Sequence, residues 1–322
     1  MTKPQLPAPP ALPELPATGS LWRTGQLHSA GLNSRAIAVL VRHHELVRLR
    51  YGCYIRATLW ERQKPSVRSK QLILAHAHGT RTTSDGAFVY SHISAARLHG
   101  LFVWNADNAI HVLLRTRPSS GRLGKDVRGH TRAFTEADVV AIRRLRVTSL
   151  ERTVVDCALM LDYRRSLIIM DNALGQGANP ALMRAMADGI PGRRGVKNLR
   201  RVLENADPRS ESAGETLTRE LLQRLKIPMP EIQFEVTSRA GRHRMDFAWK
   251  ARKIALEFDG KTKYFDYAPT DEVLYQERQR ENALTEEGWM FLRLKWQDLF
   301  NEGEFKDRIL AALRRRPEPR AC

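Results

Sequence analysis

Residues 246–263, "DFAWKARKIALEFDGKTK", decide how the C-terminal third of this 322-residue chain is read. Ten residues separate Asp246 from Glu257, and an apolar run that begins within them delivers Glu257 and Asp259, with Lys261 and Lys263 just beyond. Residues 254–258 are β-prone, and side chains two apart on a strand share a face. Glu257 and Asp259 are therefore expected to point one way, and Leu256 and Phe258 the other. Two carboxylates on one strand, with Asp246 on its neighbour, suit a hard divalent cation. Mg²⁺, or Mn²⁺ in its place, takes oxygen ligands and keeps several waters, one of which becomes able to attack a phosphodiester once its pKa falls. A nearby lysine would offset charge developing on the phosphate oxygens. Taken alone, the same residues also describe an ordinary strand ending in a turn at Gly260.

The flanking blocks extend the pattern. "ESAGETLTRELLQRLKIPMPEIQFEV" (211–236) gives a helix and a strand, and "ERQRENALTEEGWMFLRLKWQDL" (277–299) a second helix and strand. With the central hairpin they resemble the very-short-patch-repair-like branch of the PD-(D/E)xK nuclease superfamily, over residues 211–299. That resemblance implies a restriction-endonuclease-like mixed sheet flanked by helices, within a domain placed at 208–315. By position it implies Asp246, Glu257 and Asp259 as metal ligands, Glu215 as the helix carboxylate and Gln233 as the first-strand glutamine. Arg280 then falls on the arginine of the following helix. The chain departs from the family at two places. Asp259 stands where the plain Glu-x-Lys form has lysine, and Lys263 stands where this branch often has histidine, so Lys261 and Lys263 both stay open as the phosphate-stabilising group.

Charge points to nucleic acid. The chain carries a formal +18, yet residues 211–322 hold 21 Lys+Arg against 20 Asp+Glu, which leaves +17 in the first 210 residues. A basic front joined to a near-neutral back is the layout of a module that holds a polyanion beside one that acts on it. Cys53, Cys157 and Cys322 are scattered singly, which excludes a disulfide framework and a CxxC zinc site and points to a reducing cytoplasm. No long uncharged apolar run indicates a membrane span. The Pro-rich start, "KPQLPAPPALPELPA", is read as a disordered arm over 1–18.

Residues 19–58 have the order of a small winged helix. "WRTGQLHSAG" forms a short helix closed by Gly31, and "NSRAIAVLVRHH" a second one capped by Asn33 or Ser34, with Ile37, Leu40 and Val41 on its apolar face. "ELVRLRYGCYIR" then reads as a hairpin. In such modules the second helix enters the major groove. Ser34, Arg35 and Arg42 on that helix, with Arg48, Arg50 and Tyr51 on the hairpin, are the expected DNA-facing residues.

The middle, 59–207, is α/β by pattern. "SVRSKQLILAHAHG" and "SHISAARLHGL" are helical, "AIHVLLR" and "VRGHTRAF" are strands, and Thr148 with Glu151 has capping-box spacing ahead of a further helix. His76, His78, His92 and His99 lack the carboxylate partner of an HExxH site, so packing or surface roles are expected, and Asp156 and Asp171 read as helix acids in structural pairs. The cationic run Arg193, Arg194, Lys197, Arg200 and Arg201 is either a phosphate-tracking face or a solvated one. The winged-helix segment, "VYSHISAARLHGL" and "RVTSLERTVVDCALML" together resemble the AbiEi-like type IV antitoxins, over residues 19–175. That resemblance implies a winged-helix transcriptional regulator paired with a toxin-like protein, although here a nuclease-like segment replaces the family's short C-terminal end. Overall, an α/β (α+β) DNA-binding protein with a Mg²⁺-dependent endonuclease-like domain is expected. The alternative is a regulator or antitoxin whose nuclease fold is silent.

Overall fold

In the first fifty residues the apolar spacing builds a helix pair and a small sheet. The computed structural model describes residues 13–16, 19–79, 88–116, 123–260 and 271–317. β1 (Leu21–Arg23) leads into α1 (Thr24–Ser29) and α2 (Ser34–Arg42), then β2 (Leu46–Arg50) and β3 (Cys53–Arg56), with sheet order β1-β3-β2. Gly31, at φ +87°, makes the left-handed turn between the helices. Asn33 caps α2 by accepting the Ala36 N–H at 2.9 Å. Ile37 and Leu40 drop from α2 onto Trp22, Leu27, Leu32 and Leu46. The helix, turn, helix, hairpin order read from the sequence is the order found.

The fold is mixed α/β. α3 (Ala57–Arg62) and α4 (Pro65–Gly79) precede β4 (Phe88–Tyr90), α5 (His92–His99), β5 (Ile110–Leu114), β6 (Val127–Thr131), β7 (Val139–Ile142) and β8 (Leu145–Thr148). These strands form a sheet of order β6-β5-β4-β8-β7, with β4 antiparallel to β5 and β5 parallel to β6. Helices α6 (Leu150–Met160), α7 (Tyr163–Gly175), α8 (Pro180–Asp188) and α9 (Val196–Asn205) follow. The Thr148–Glu151 capping box does not form. Ser149 is the cap of α6, and Thr148 is buried one residue earlier, bonded to Thr153 Oγ1 at 2.6 Å. Glu151 instead accepts the Asn179 N–H at 3.0 Å.

The last third comprises α10 (Ala213–Arg224), β9 (Glu231–Ser238), β10 (Gly241–Trp249), β11 (Ile254–Phe258), α11 (Asp271–Glu286), β12 (Met290–Leu294) and α12 (Glu302–Arg315). The sheet order is β12-β11-β10-β9. β11 runs parallel to β12 and antiparallel to β10, so the sheet is mixed. Phe247, Trp249, Ile254 and Leu256 pack beneath α10 and α12 on Leu217, Leu221, Phe305 and Ile309. Ala248 and Ala255 cover the opposite face with Leu284 and Trp289.

Contacts divide the chain into two compact units. The first holds residues 1–90, 108–134 and 141–147; the second holds 91–107, 135–140 and 148–322. Helices α3 and α4 thus belong to the first, whereas helices α5 to α9 and the four-stranded sheet belong to the second, on both sides of the boundary read between 207 and 208. The buried Asp171–Arg219 pair, 2.6 Å between α7 and α10, ties them, and Thr216 Oγ1 donates to the same carboxylate at 2.8 Å.

Candidate functional site

A local break in β10 creates the centre. On a regular strand Met245, Phe247 and Trp249 would share a face. Here Met245 packs with Ala248 on the α11 side, while Phe247 and Trp249 pack on the α10 side. The β9–β10 ladder pairs Met245 with Phe234 and Phe247 with Ile232, but skips Asp246 and Gln233 between them. Gln233 sits at φ +54°, a conformation an L-residue adopts rarely and which marks functional sites more often than ordinary strands. Both side chains are thereby released from the regular pleat toward α10.

Three elements, α10, β10 and β11, deliver acids to this end of the sheet. Ser212 caps α10 through the Glu215 N–H, at 3.1 Å, which fixes the first turn where Glu215 stands. Glu215 Oε2 accepts from the Glu211 N–H at 2.9 Å and from Gln233 Nε2 at 2.8 Å. Asp246 Oδ2 accepts the Phe258 N–H at 2.8 Å, across to β11. Gly214 lets α10 approach β11, because a Cβ there would collide with the Phe258 ring.

Glu257 faces the other side of β11 from Leu256 and Phe258, as the strand period requires. Its Oε1 lies 3.1 Å from His243 Nε2 and its Oε2 3.6 Å from an Arg293 nitrogen. Arg293 also donates to Glu281 of α11 at 2.7 Å. Asp259 follows Glu257 at the strand end, its backbone N–H donating to Leu294 O at 2.8 Å.

The electrostatics single out Asp246. Burial, then the charges of Glu215, Glu257 and Glu211, push its carboxyl up to about 7, against one lowering influence from the Phe258 N–H. Burial also raises Glu215, partly offset by the hydrogen bonds from Glu211, Ser212 and Gln233. A half-buried cluster of carboxylates that repel one another, offering oxygen donors, fits a hard cation. Among the described residues no three of these oxygens lie within 4.8 Å of one another, so an ion would have to draw the side chains inward.

The structure brings Glu215, Gln233, Asp246 and Glu257 to one end of the sheet. Asp259 continues the strand that carries Glu257, and Arg280 is exposed on α11. Lys261 and Lys263 lie outside the described residues. His243 and Arg293 escaped the sequence reading. His243 lies three residues before Asp246, and only the β10–β11 pairing turns it to Glu257; Arg293 is paired with Glu257 across the parallel β11–β12 ladder.

In the first unit, Ser34 lies within 3.3 Å of His28 Nε2, and Arg35 and Arg42 are exposed on α2. Arg48 lies 5.1 Å from the centroid of Tyr51, a hairpin-tip ring that is 86% exposed. Arg50 is engaged: its guanidinium pairs with Asp126 and is largely buried, which anchors the hairpin. His76 Nδ1 bonds the Tyr90 hydroxyl at 2.7 Å, and His99 Nε2 bonds Thr148 O at 2.7 Å. Both are structural roles, as are the ion pairs of Asp156 with Arg152 and Asp171 with Arg219.

Comparison with known proteins adds relatives without a described activity. No family model matches the chain. It is 28% identical over 291 residues to two Mycobacterium tuberculosis sequences, the uncharacterized proteins Rv2248 of strain H37Rv and MT2308 of strain CDC 1551, covering 88% of this chain and 98% of each relative. The crystal structure of the M. tuberculosis RV2827C protein aligns with 68% of this chain and 83% of its own at 15% identity and a TM-score of 0.37. Among the described residues no helix is long and apolar enough to cross a membrane.

Proposed function

We propose that this chain is a DNA-binding protein whose C-terminal module hydrolyses phosphodiester bonds with Mg²⁺ or Mn²⁺. The observation that carries the reading is the Asp246 carboxyl, pushed up to about 7 among Glu215 and Glu257 at a break in the sheet. Acids arranged for stability come with a cation or a full set of donors; among the described residues this one has a single backbone N–H. Asp246, Glu257 and Asp259 would hold the ion, which when bound supplies Lewis acidity toward a phosphoryl oxygen and a water of lowered pKa.

The chain's own residues do the remaining work. Gln233 and the Glu211 N–H fix one oxygen of Glu215, leaving the other to orient water at the edge of the cluster. His243 holds Glu257 Oε1, and Arg293 offsets the negative charge on the α11 side. Lys261 or Lys263 would meet the charge that develops on phosphate, with Arg280 available to a neighbouring phosphate.

The test is Mg²⁺-dependent nicking of supercoiled DNA by wild type, Asp246→Asn and Glu257→Gln prepared in parallel. Cleavage by wild type that drops at least about 100-fold in both variants supports the reading, a loss of the size that removal of a key charge-stabilising group brings. Equal cutting by all three would discard it.

A second reading is favoured by the helix pair and hairpin of the first unit, with Arg35, Arg42, Arg48 and Tyr51 exposed. In that reading the chain is a transcriptional regulator, with or without a toxin-like partner, and its carboxylate centre is silent. Tight, sequence-specific operator binding unaffected by Asp246→Asn, together with no cleavage, would put it first.

A further inference from the structure

Helix α9 carries its charge the wrong way round. Arg193 and Arg194 precede it and Lys197 stands in its first turn, at the end where the backbone dipole already presents positive charge, while Glu204 sits at the opposite, negative end. Helix stability favours acids first and cations last, so this arrangement is a cost that nothing in α9 itself repays.

The same residues lie on one exposed face. Val196, Leu199, Val202 and Leu203 are buried against α6, α7 and α8, which leaves Lys197 and Arg201, spaced i and i+4, on the outer stripe, with Arg193 and Arg194 exposed in the turn just ahead of the helix. Arg200, beside them, is paired with the exposed Asp188 at 3.3 Å. Arg193, Arg194, Lys197 and Arg201 have no acidic partner among the described residues. Arg201 is held in place instead: its guanidinium lies 3.8 Å from the centroid of Tyr163, flat against an aromatic face rather than loose in solvent. Gly195, at φ +87°, packs so closely on Leu159 that a Cβ would collide with the Leu159 carbonyl, which fixes the start of the helix. From Lys197 to Arg201 the helix rises about 6 Å, and with Arg193 and Arg194 in the turn ahead of it the face can meet about two successive phosphates of one strand.

We propose that the α9 face, Arg193, Arg194, Lys197 and Arg201, binds the sugar-phosphate backbone of duplex DNA. The occupant is argued from charge complementarity: four exposed cations without an acidic partner among the described residues, at a helix start whose dipole has the same sign, call for a polyanion, and a single small anion would satisfy only one end. This inference rests on the DNA reading above and deepens it. The compact unit that carries the carboxylates has its own grip on DNA, independent of the helix pair in the other unit. Contacts to phosphates add affinity without sequence preference.

The experiment is the salt dependence of duplex DNA binding by the full chain, on two unrelated sequences and on duplex RNA. It compares wild type, Arg194→Gln/Lys197→Gln, and the same pair with Arg201→Gln. The expected result is a weakening equal on both DNA sequences, roughly 10- to 500-fold at 0.1 M salt for the triple variant, with the slope of log affinity against log salt shallower by about 2 for the double and about 3 for the triple. The double variant leaves the Tyr163 stack and the buried stripe untouched, and matching circular-dichroism melts would separate lost binding from lost folding. A wild-type slope retained by both variants overturns the inference while leaving the DNA reading standing. A loss confined to RNA overturns it in favour of an RNA partner. No DNA binding by wild type overturns the DNA reading and this inference together.

Discussion

Of the three buried ionisable groups on helix α10, Glu215 and Arg219 lie one turn apart and live in opposite circumstances. Arg219 donates to Asp171, to Asn205 O and to Ser210 Oγ, and the Asp171 carboxylate also accepts from Thr216 and from the Asp207 N–H. Burial pushes Asp171 up, and every neighbour pulls it back. Glu215, four residues earlier, points into a group of acids, and across the sheet Asp246 has three carboxylates raising it and one N–H lowering it. One buried acid is compensated and holds the unit together; the other has no compensating cation among the described residues. The difference teaches where to look for chemistry: at the buried charge to which the described residues bring no cation.

Breaking the compensated pair should have the largest effect. Arg219→Met leaves Asp171 buried without its cation and should cost about 3–5 kcal/mol, read from urea unfolding. Asp171→Asn added to Arg219→Met should recover part of that loss. A full-sized loss that the second change does not relieve would mean that packing, not charge, dominates there.

Relieving the uncompensated acid should act in the other direction. A carboxyl raised from 3.8 to about 7 on folding binds its proton more tightly in the folded than in the unfolded chain. Its stabilising influence is therefore complete below pH 4 and is lost as pH rises through 7, so the metal-free protein should weaken across that window. Asp246→Asn should remove this dependence and stabilise the metal-free protein at pH 8, on the order of 2–4 kcal/mol, while gaining nothing at pH 4. Mg²⁺ should raise the melting temperature of wild type at pH 8 and leave the variant unmoved. Equal melting curves for the two proteins at both pH values would sink the electrostatic account of the site.

The smallest stability effect is expected at His243. His243→Ala removes a half-buried contact to Glu257 Oε1 and should change stability by under about 1 kcal/mol. Its effect on the centre should be larger, since groups that orient a ligand typically contribute 10- to 100-fold to metal affinity. Calorimetric titration with Mn²⁺ would measure it, and unchanged affinity would return His243 to a packing role against Phe291.

Much of this was legible in the residues. The alternation in IALEF placed Glu257 opposite Leu256 and Phe258, Asn33 marked the start of α2, and Gly31 the break before it, because strand period, helix caps and left-handed turns are local properties. Other features were not local. The capping box at Thr148 and Glu151 had the right spacing, but Thr148 was taken into the core and Ser149 did the capping. Arg50 looked like its exposed neighbour Arg48 until Asp126, 76 residues away, claimed it. The face change at Asp246 depends on Gln233 of the adjacent strand, and His243 and Arg293 meet Glu257 only through the pairing of β10, β11 and β12.

By itself, then, the sequence determined the helix pair and hairpin of the first fifty-six residues, the helices and strands around the acids, their apolar faces, the clustering of acids in the last third and the excess of positive charge before it, since each follows from spacing along the chain. Only the tertiary structure decided which buried charges found partners. It set Arg219 against Asp171 and left Asp246 among acids, because desolvation and Coulomb interactions depend on distances between residues far apart in sequence.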